Sequence, residues 1–184
     1  MTETTAGQAG EPTRAKAVVL VGPKGAGKTT IGRMVEAAFG ARFVEVEAVA
    51  RHALAEAGGA IDEAYARRAF GMILEEVEAA ARGAPAVVLE TTGASAETPR
   101  FLAARRERFD TVLVRVTASR AVCERRIAGR DQARQVQVGP DLVREMHARS
   151  LALSLPWDVE IDNEAGVGEA EVVRALRPHL RGVA

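Results

Sequence analysis

Short apolar runs alternate with longer amphipathic stretches along most of the chain. Ala17–Val21, Ala86–Glu90 and Thr111–Val116 are almost wholly apolar and too short for helices, which predicts buried strands. Arg42–Val46 and Val159–Ile161 are predicted as two further, shorter strands. The runs show no strict alternation of apolar and polar residues, so we expect them in a parallel sheet that is covered on both faces.

The stretches between these runs carry apolar side chains three and four residues apart, which predicts helices. The predicted helices are Thr29–Phe39, Glu47–Ala57, Ile61–Arg82, Pro99–Arg108, Ser119–Ala128, Asp141–Leu153 and Glu169–Leu180. Ser119 is the predicted N-cap of its helix, and we expect Arg105, Arg106 and Arg108 to lie in solvent. Alternating strands and helices predict an α/β fold with ligands at the carboxyl ends of the strands.

Composition narrows the class of protein. The chain has 184 residues and a formal net charge of zero, which fits one globular domain without the basic excess of proteins that bind nucleic acid or anionic membranes. A single cysteine, Cys123, excludes an intramolecular disulfide and a cysteine-based metal site. Residues 1–14 are polar and predict a disordered tail rather than a signal peptide, before a domain at 15–184. We expect a cytoplasmic protein.

A glycine-rich loop follows the first predicted strand and leads into the first helix. Gly22-Pro23-Lys24-Gly25-Ala26-Gly27-Lys28-Thr29 fits the pattern G-x-x-x-x-G-K-[ST] at every specified position. Such a loop turns its N–H groups toward phosphate oxygens at the positive end of a helix. We predict that the residues from Gly22 to Thr30 bind ATP, that Lys28 neutralises phosphate charge, and that Thr29 ligates Mg²⁺. Lys24 either leans over the phosphates or is a solvated loop residue.

Carboxylates follow two of the predicted strands. Glu45 and Glu47 close the second strand, where their spacing predicts one shared face, and Glu90 closes the third, before Thr91-Thr92-Gly93. A phosphoryl-transfer site needs one acid near Mg²⁺ and one to accept a proton from the attacking hydroxyl. Glu90 and Glu47 are the candidates for both roles. The alternative is that they are ordinary exposed glutamates at strand ends.

The later part of the chain is rich in arginine. Between Arg115 and Arg149, eight arginines accompany four acids. Arg126 and Arg130 are four residues apart and are predicted to share a helix face, and Arg134 follows in an irregular stretch. Arginines in a lid at about residues 129–140 would bind ATP and stabilise the transferring phosphoryl group. A solvated basic face is the alternative.

Four segments together resemble a known family. GPKGAGKTTIGR, FVEVE, RRIAGRD and the late WDVEIDN resemble the shikimate kinase and gluconate kinase branch of the nucleoside-monophosphate-kinase-like P-loop proteins. The resemblance covers nearly the whole chain after the tail. It implies a three-layer α/β/α P-loop NTPase fold with a five-stranded parallel sheet of order 2-3-1-4-5. It also implies a mobile lid, a substrate-binding helical region after the second strand, and a strand and loop at WDVEIDN that pass near the adenine.

The acceptor site departs from shikimate kinases. Those enzymes carry aspartates where this chain has Glu45 and Glu47, an arginine where Gly71 follows Phe70, and a triple glycine where it has Thr91-Thr92-Gly93. The resemblance implies that Arg149 corresponds to their late arginine, which meets a substrate carboxylate. We predict Glu47, Arg51, Gly93 and Arg149 as substrate-binding residues, and an acceptor other than shikimate.

Three functions remain open from the sequence. The leading hypothesis is an ATP- and Mg²⁺-dependent kinase of a small hydroxylated molecule, an antibiotic or a sugar among the candidates, acting as a monomer or homodimer without nucleic-acid or membrane partners. The second is a nucleoside or nucleotide kinase, in which two of Arg51, Arg67 and Arg68 would grip the acceptor's phosphate. The third is an ATP-binding switch protein with little catalysis.

Overall fold

A computed structural model describes residues 14–130, 136 and 138–183. Its sheet has five parallel strands in the order β2-β3-β1-β4-β5, which confirms the predicted topology. The strands are β1 (Lys16–Val21), β2 (Arg42–Val44), β3 (Ala86–Thr91), β4 (Asp110–Thr117) and β5 (Val159–Asp162). The central strand β1 pairs with β3 and β4 over its full length, so the segment that follows Val21 leaves the middle of the sheet.

Helices cover both faces of this sheet. They are α1 (Lys28–Phe39), α2 (Val46–Glu56), α3 (Glu63–Ala81), α4 (Thr98–Arg108), α5 (Arg120–Ala128), α6 (Pro140–Ala152) and α7 (Glu169–Leu176). Val18 and Leu20 of β1 pack in one apolar layer with side chains of α1 and α7, and Val19 packs in the other with side chains of α3 and α4. The predicted three-layer α/β/α architecture is therefore confirmed.

Side-chain caps define where two helices begin. Ser119 Oγ accepts from the N–H of Val122 at 3.4 Å, which confirms its prediction as the N-cap of α5. Asp62 Oδ1 accepts from the N–H of Tyr65 at 2.8 Å. This cap makes α3 begin at Glu63, two residues later than predicted.

The second strand is shorter than predicted, and the expected shared face of its two glutamates is wrong. Glu45 is the residue before α2, and its carbonyl accepts from the N–H groups of Ala48 and Val49 at 3.0 and 3.3 Å. Val46 therefore already belongs to the helix. As a result the two side chains point apart: Glu45 pairs with Arg33 of α1, and Glu47 pairs with Lys24.

The prediction that Arg105 lies in solvent is also wrong. Thr98, Phe101, Leu102 and Arg105 form the buried face of α4, because positions three, four and seven residues apart lie on one side of a helix. The Arg105 side chain is fully buried, and its guanidinium carbon lies 5.3 and 5.5 Å from the ring centres of Phe101 and Phe109. Arg106 and Arg108 are exposed, as expected.

Two predicted segments fall largely outside the described residues. They are the tail, except for Arg14, and the central part of the lid at 131–135 and 137. Arg14 Nη1 donates to the Arg106 carbonyl at 3.3 Å. The division into tail, domain and lid therefore stays a prediction. Within the described ranges, no helix has the length and apolar character needed to cross a membrane.

Candidate active site

The glycine-rich loop lies between the end of β1 and the start of α1, at the carboxyl edge of the sheet. Its path is set by close contacts with neighbouring backbone. A Cβ at Gly22 would approach the Val116 carbonyl oxygen to 2.0 Å. A Cβ at Gly25, where φ is +86°, would approach the Cys123 carbonyl oxygen to 2.5 Å. The two glycines therefore let the loop rest directly on the end of β4 and on α5.

Substituting Gly22 tests this packing. We expect Gly22→Ala to lower the free energy of unfolding by about 1–3 kcal/mol, because the new methyl group overlaps backbone atoms that cannot move freely. Urea denaturation of the nucleotide-free protein measures the change. Gly71→Ala is the matched control: Gly71 lies within α3 with open space around its Cα. That variant should gain up to about 1 kcal/mol, and an equal loss in both variants would contradict the argument.

Lys28 is held inside the loop. Its side chain is almost fully buried, and Nζ donates to the carbonyl oxygens of Gly22 at 2.7 Å and Pro23 at 2.9 Å. Burial lowers the pKa of the Lys28 ammonium, while the nearby Glu90 carboxylate opposes that shift. The loop thus fixes a cationic side chain at the start of α1, where the helix also presents its positive end.

Glu90 lies beside Lys28 and Thr29, as the sequence predicts. The register of β1 and β3 pairs Leu20 with Glu90, which places the carboxylate next to the start of the loop. Thr29 Oγ1 lies 3.1 Å from each carboxylate oxygen of Glu90 and donates to them. Burial raises the pKa of the Glu90 carboxyl, and Lys28 and the Thr29 hydrogen bond act against that rise. Three of the predicted functional side chains therefore lie together at the start of α1.

Lys24 and Glu47 form an ion pair that neither sequence interpretation of Lys24 predicts. Lys24 Nζ lies 2.6 Å from Glu47 Oε1, and the Lys24 side chain is 12% exposed. Lys24 Nζ also donates to the Val136 carbonyl at 3.3 Å, while the Val136 N–H donates to Glu47 Oε1 at 3.0 Å. This junction joins the glycine-rich loop to α2 and to the described part of the segment before α6.

A cavity of about 460 Å³ opens on the other side of the loop. Arg126 and Arg130 both line it. The prediction that they share a helix face is wrong, because α5 ends at Ala128 and Arg130 lies beyond it. Arg126 Nη2 donates to the Asn163 carbonyl at 2.8 Å, whereas its buried Nη1 has no hydrogen-bond partner among the described residues. The other lining residues are Gly27, Thr30, Ile31, Gly129, Asn163, Gly166 and Val167. Arg134 lies outside the described residues.

The resemblance implies that the WDVEIDN segment passes near the adenine, but it singles out no individual residue. Sequence reasoning therefore missed Asn163, and with it Gly166 and Val167 of the loop that follows, all three of which line the cavity. Asn163 is 5% exposed, and its side-chain Nδ2 donates to the Ala26 carbonyl at 2.7 Å. A buried amide at the carboxyl end of a parallel strand is the signal that could have identified it.

The four residues predicted to bind the acceptor do not form one connected group. Arg51 follows Glu47 by one turn of α2, and its Nε is buried. Gly93 has a φ of +71°, and a Cβ there would approach Leu153 and Val21 to 2.8 and 2.9 Å, so packing requires a glycine. Arg149 is 61% exposed and pairs at 2.5 Å with Glu145, one turn earlier in α6. Contacts thus bring Glu47 and Gly93 next to the loop, while Arg149 engages its own helix.

A comparison with protein-family models decides the family. A model described as an AAA domain matches residues 18–152, which include the glycine-rich loop, Glu90, Arg126 and Arg130. The chain belongs to this AAA domain family. No curated protein sequence matches this AAA domain protein.

Solved structures with the same fold include several kinases. A sugar kinase from Janibacter sp. is 21% identical to this chain, with a TM-score of 0.63. The match covers 90% of this chain and 94% of the sugar kinase. The shikimate kinase of Acinetobacter baumannii is 22% identical, with a TM-score of 0.60 over 90% and 93%. The APS kinase of Mycobacterium tuberculosis is 17% identical, with a TM-score of 0.64 over 93% and 100%. These structures confirm the predicted P-loop kinase fold.

Proposed function

We propose that this protein is an ATP- and Mg²⁺-dependent kinase that transfers the γ-phosphoryl group of ATP to a hydroxyl group of a small molecule. The observation that carries the proposal is the grouping of Lys28, Thr29 and Glu90 at the carboxyl end of the central strands. A cation, a hydroxyl and a buried carboxylate at one phosphate loop are the groups that phosphoryl transfer needs.

Two features support the nucleotide part of the proposal. The cavity beside the loop has room for a nucleoside, and the buried Arg126 Nη1, without a partner in the described part of the chain, fits a ligand oxygen there. The fold is also that of an APS kinase whose structure was solved with the ATP analogue AMPPNP. We therefore place the phosphates on the residues from Gly22 to Thr30 and the nucleoside in the cavity, where Arg126 would contact ATP, with Arg134 of the lid as a further predicted contact.

The residues present also fit Mg²⁺. Thr29 Oγ1 and the Glu90 carboxylate are hard oxygen donors 3.1 Å apart at the mouth of the loop. Bound there with the phosphates, the ion would neutralise charge on the β- and γ-phosphate oxygens. Glu47, the other predicted metal ligand, already accepts from Lys24 and Val136 through Oε1, so we favour Glu90 for this role.

The proposed transfer is a direct displacement. The acceptor oxygen forms a bond to the γ-phosphorus while the bond to the β,γ-bridging oxygen breaks, and ADP leaves with that electron pair. Because Glu90 is assigned to Mg²⁺, the acceptor's proton passes to Glu47, the other candidate acid, or to solvent. Lys28, Arg126 and Arg130 stabilise the negative charge on the phosphoryl oxygens during the step.

The acceptor lies, in this proposal, between α2 and the turn after β3. Glu47 and Arg51 would contact it from α2, and the backbone at Gly93 would contact it beside the loop. Arg149 would need to exchange its pairing with Glu145 for the acceptor. In the nucleotide-kinase alternative, Arg67 and Arg68 would likewise have to exchange their pairings with Glu63 and Glu56 for the acceptor's phosphate.

Release of ADP from Mg-ATP is the test, measured against hydroxylated acids, sugars, aminoglycosides, nucleosides and nucleoside monophosphates. We expect at least one of these compounds, other than the nucleoside monophosphates, to raise ADP release well above basal hydrolysis. The phosphorylated acceptor should appear in equal amount by mass spectrometry. Tight ATP binding with no stimulated turnover by any acceptor would instead favour the switch protein.

The pH dependence of activity tests the role of Glu90. Because burial raises the pKa of Glu90, its ionised form should be lost as pH falls through a value above the ordinary glutamate pKa of about 4.3. We therefore expect kcat/KM for ATP, which reports the nucleotide-free enzyme, to fall on the acid side with an apparent pKa above that value. Glu90→Gln should lower kcat/KM about a hundredfold and abolish this acid limb. An unchanged limb in the variant would contradict the assignment.

A further inference from the structure

Asn163 joins four separate parts of the structure. Its side chain donates from Nδ2 to the Ala26 carbonyl at 2.7 Å and accepts at Oδ1 from the Val167 N–H at 2.6 Å. Its backbone N–H donates to the Thr117 carbonyl at 2.8 Å, and its backbone carbonyl accepts from Arg126 Nη2 at 2.8 Å. Both hydrogen-bonding ends of the amide face a complementary group, which fixes its orientation.

The bond to Ala26 acts on the phosphate loop itself. A trans peptide is planar, with its C=O and N–H on opposite sides, so holding the Ala26 carbonyl also fixes the direction of the Gly27 N–H. That N–H belongs to the loop whose N–H groups bind phosphate in the motif. The contact is close: a Cβ at Gly27, where φ is +95°, would lie 2.2 Å from Asn163 Nδ2. The loop and the amide are therefore fitted to each other.

Two further hydrogen bonds of Asn163 hold residues that line the cavity of about 460 Å³ beside the loop, called the nucleoside cavity from here on. Asn163 Oδ1 holds Val167, and the Asn163 carbonyl holds Arg126, and both of these residues line the cavity. One buried residue thus orients a peptide of the phosphate loop and two parts of the nucleoside cavity. Neither the motif nor the acids of the proposed transfer step perform this function.

We propose that Asn163 is a positioning residue that sets the phosphate-binding geometry of the loop from the nucleoside side of the site. The inference rests on the proposed nucleotide site and assigns to Asn163 an effect that reaches the phosphates. A residue that shaped only the nucleoside cavity would affect ligands that carry a base. A residue that orients the loop affects a ligand with no base as well.

Calorimetric titration with Mg-ATP and with magnesium pyrophosphate separates these roles. We expect Asn163→Ala to raise the Kd of both ligands about tenfold, which corresponds to the loss of a hydrogen bond worth about 1.4 kcal/mol. Asn163→Ser is the milder second variant, should the alanine variant fold poorly, and we expect a smaller increase for both ligands. Thermal unfolding of each nucleotide-free variant confirms that the titrated protein is folded.

The control is Asp162→Glu. Asp162 lies next to Asn163 in the chain, is exposed, and accepts through Oδ1 from the N–H of Glu164. It should bind both ligands as the wild type does. The inference would be overturned if folded Asn163 variants showed a raised Kd for Mg-ATP but an unchanged Kd for magnesium pyrophosphate. An unchanged Kd for both ligands would overturn it as well. If the wild type itself bound neither ligand, the proposed nucleotide site would fail first, and the inference with it.

Discussion

Replacing Lys28 with methionine should lower acceptor-stimulated ADP release about a thousandfold or more. The methionine side chain has nearly the length of the lysine stem but no charge, so the phosphoryl oxygens lose a cation fixed inside the loop. Removing one preorganised donor from a site of this kind costs about a hundred- to a thousandfold in turnover, and a full charge raises the loss. The Gly22 and Pro23 carbonyls also lose their common partner.

The chain offers a matched control in Lys16→Met. Lys16 also belongs to the central part of the fold, at the start of β1, but its ammonium pairs with Asp110 at the opposite edge of the sheet. Initial rates at saturating Mg-ATP should be close to wild type for this variant. A Lys28→Met protein that is folded and retains more than about a tenth of wild-type turnover would contradict the proposed chemistry.

The sequence predicts the strands well where burial alone decides the pattern. β1, β3 and β4 are covered on both faces, so their residues form apolar runs whose ends differ from the predicted ends by at most one residue. β2 shows the limit of this approach. Arg42–Val46 looks continuous, but the Glu45 carbonyl starts a helix, and that hydrogen bonding leaves no trace in the order of apolar and polar residues.

The candidate site also contains residues that the sequence predicts and contacts that it does not. Lys28 and Thr29 are predictable because a phosphate loop requires specific residues at fixed spacing within one segment. Glu90 is predictable because it ends a strand that must lie beside β1. The Lys24–Glu47 pair and the Asn163–Ala26 bond join residues 23 and 137 positions apart. Such contacts depend on how distant elements pack, which a single sequence does not record.

The burial of Arg105 in the core also depends on how distant elements pack, and the sequence did not predict it. Replacing this residue is the second change for which we expect a large effect. We expect Arg105→Met to raise the free energy of unfolding by about 1–4 kcal/mol, the range seen when buried ionic groups give way to apolar residues of similar size. The guanidinium is fully buried, and in the described structure its three nitrogens have no hydrogen-bond partner. Burial lowers the Arg105 pKa to about 10, so the group stays charged at neutral pH.

Two aromatic contacts oppose this gain. The rings of Phe101 and Phe109 lie within reach of the Arg105 cation, and each such contact is worth about 0.5–2 kcal/mol. A buried cation without a counter-ion costs several kcal/mol, so the desolvation penalty should prevail. Urea denaturation at neutral pH measures the result, with the neighbouring exposed Arg106→Met as control, for which we expect a change within about 0.5 kcal/mol. A loss of stability in Arg105→Met would mean that the two rings stabilise the cation by more than its burial costs. In that case α4 would depend on Arg105 as part of its aromatic packing against the sheet.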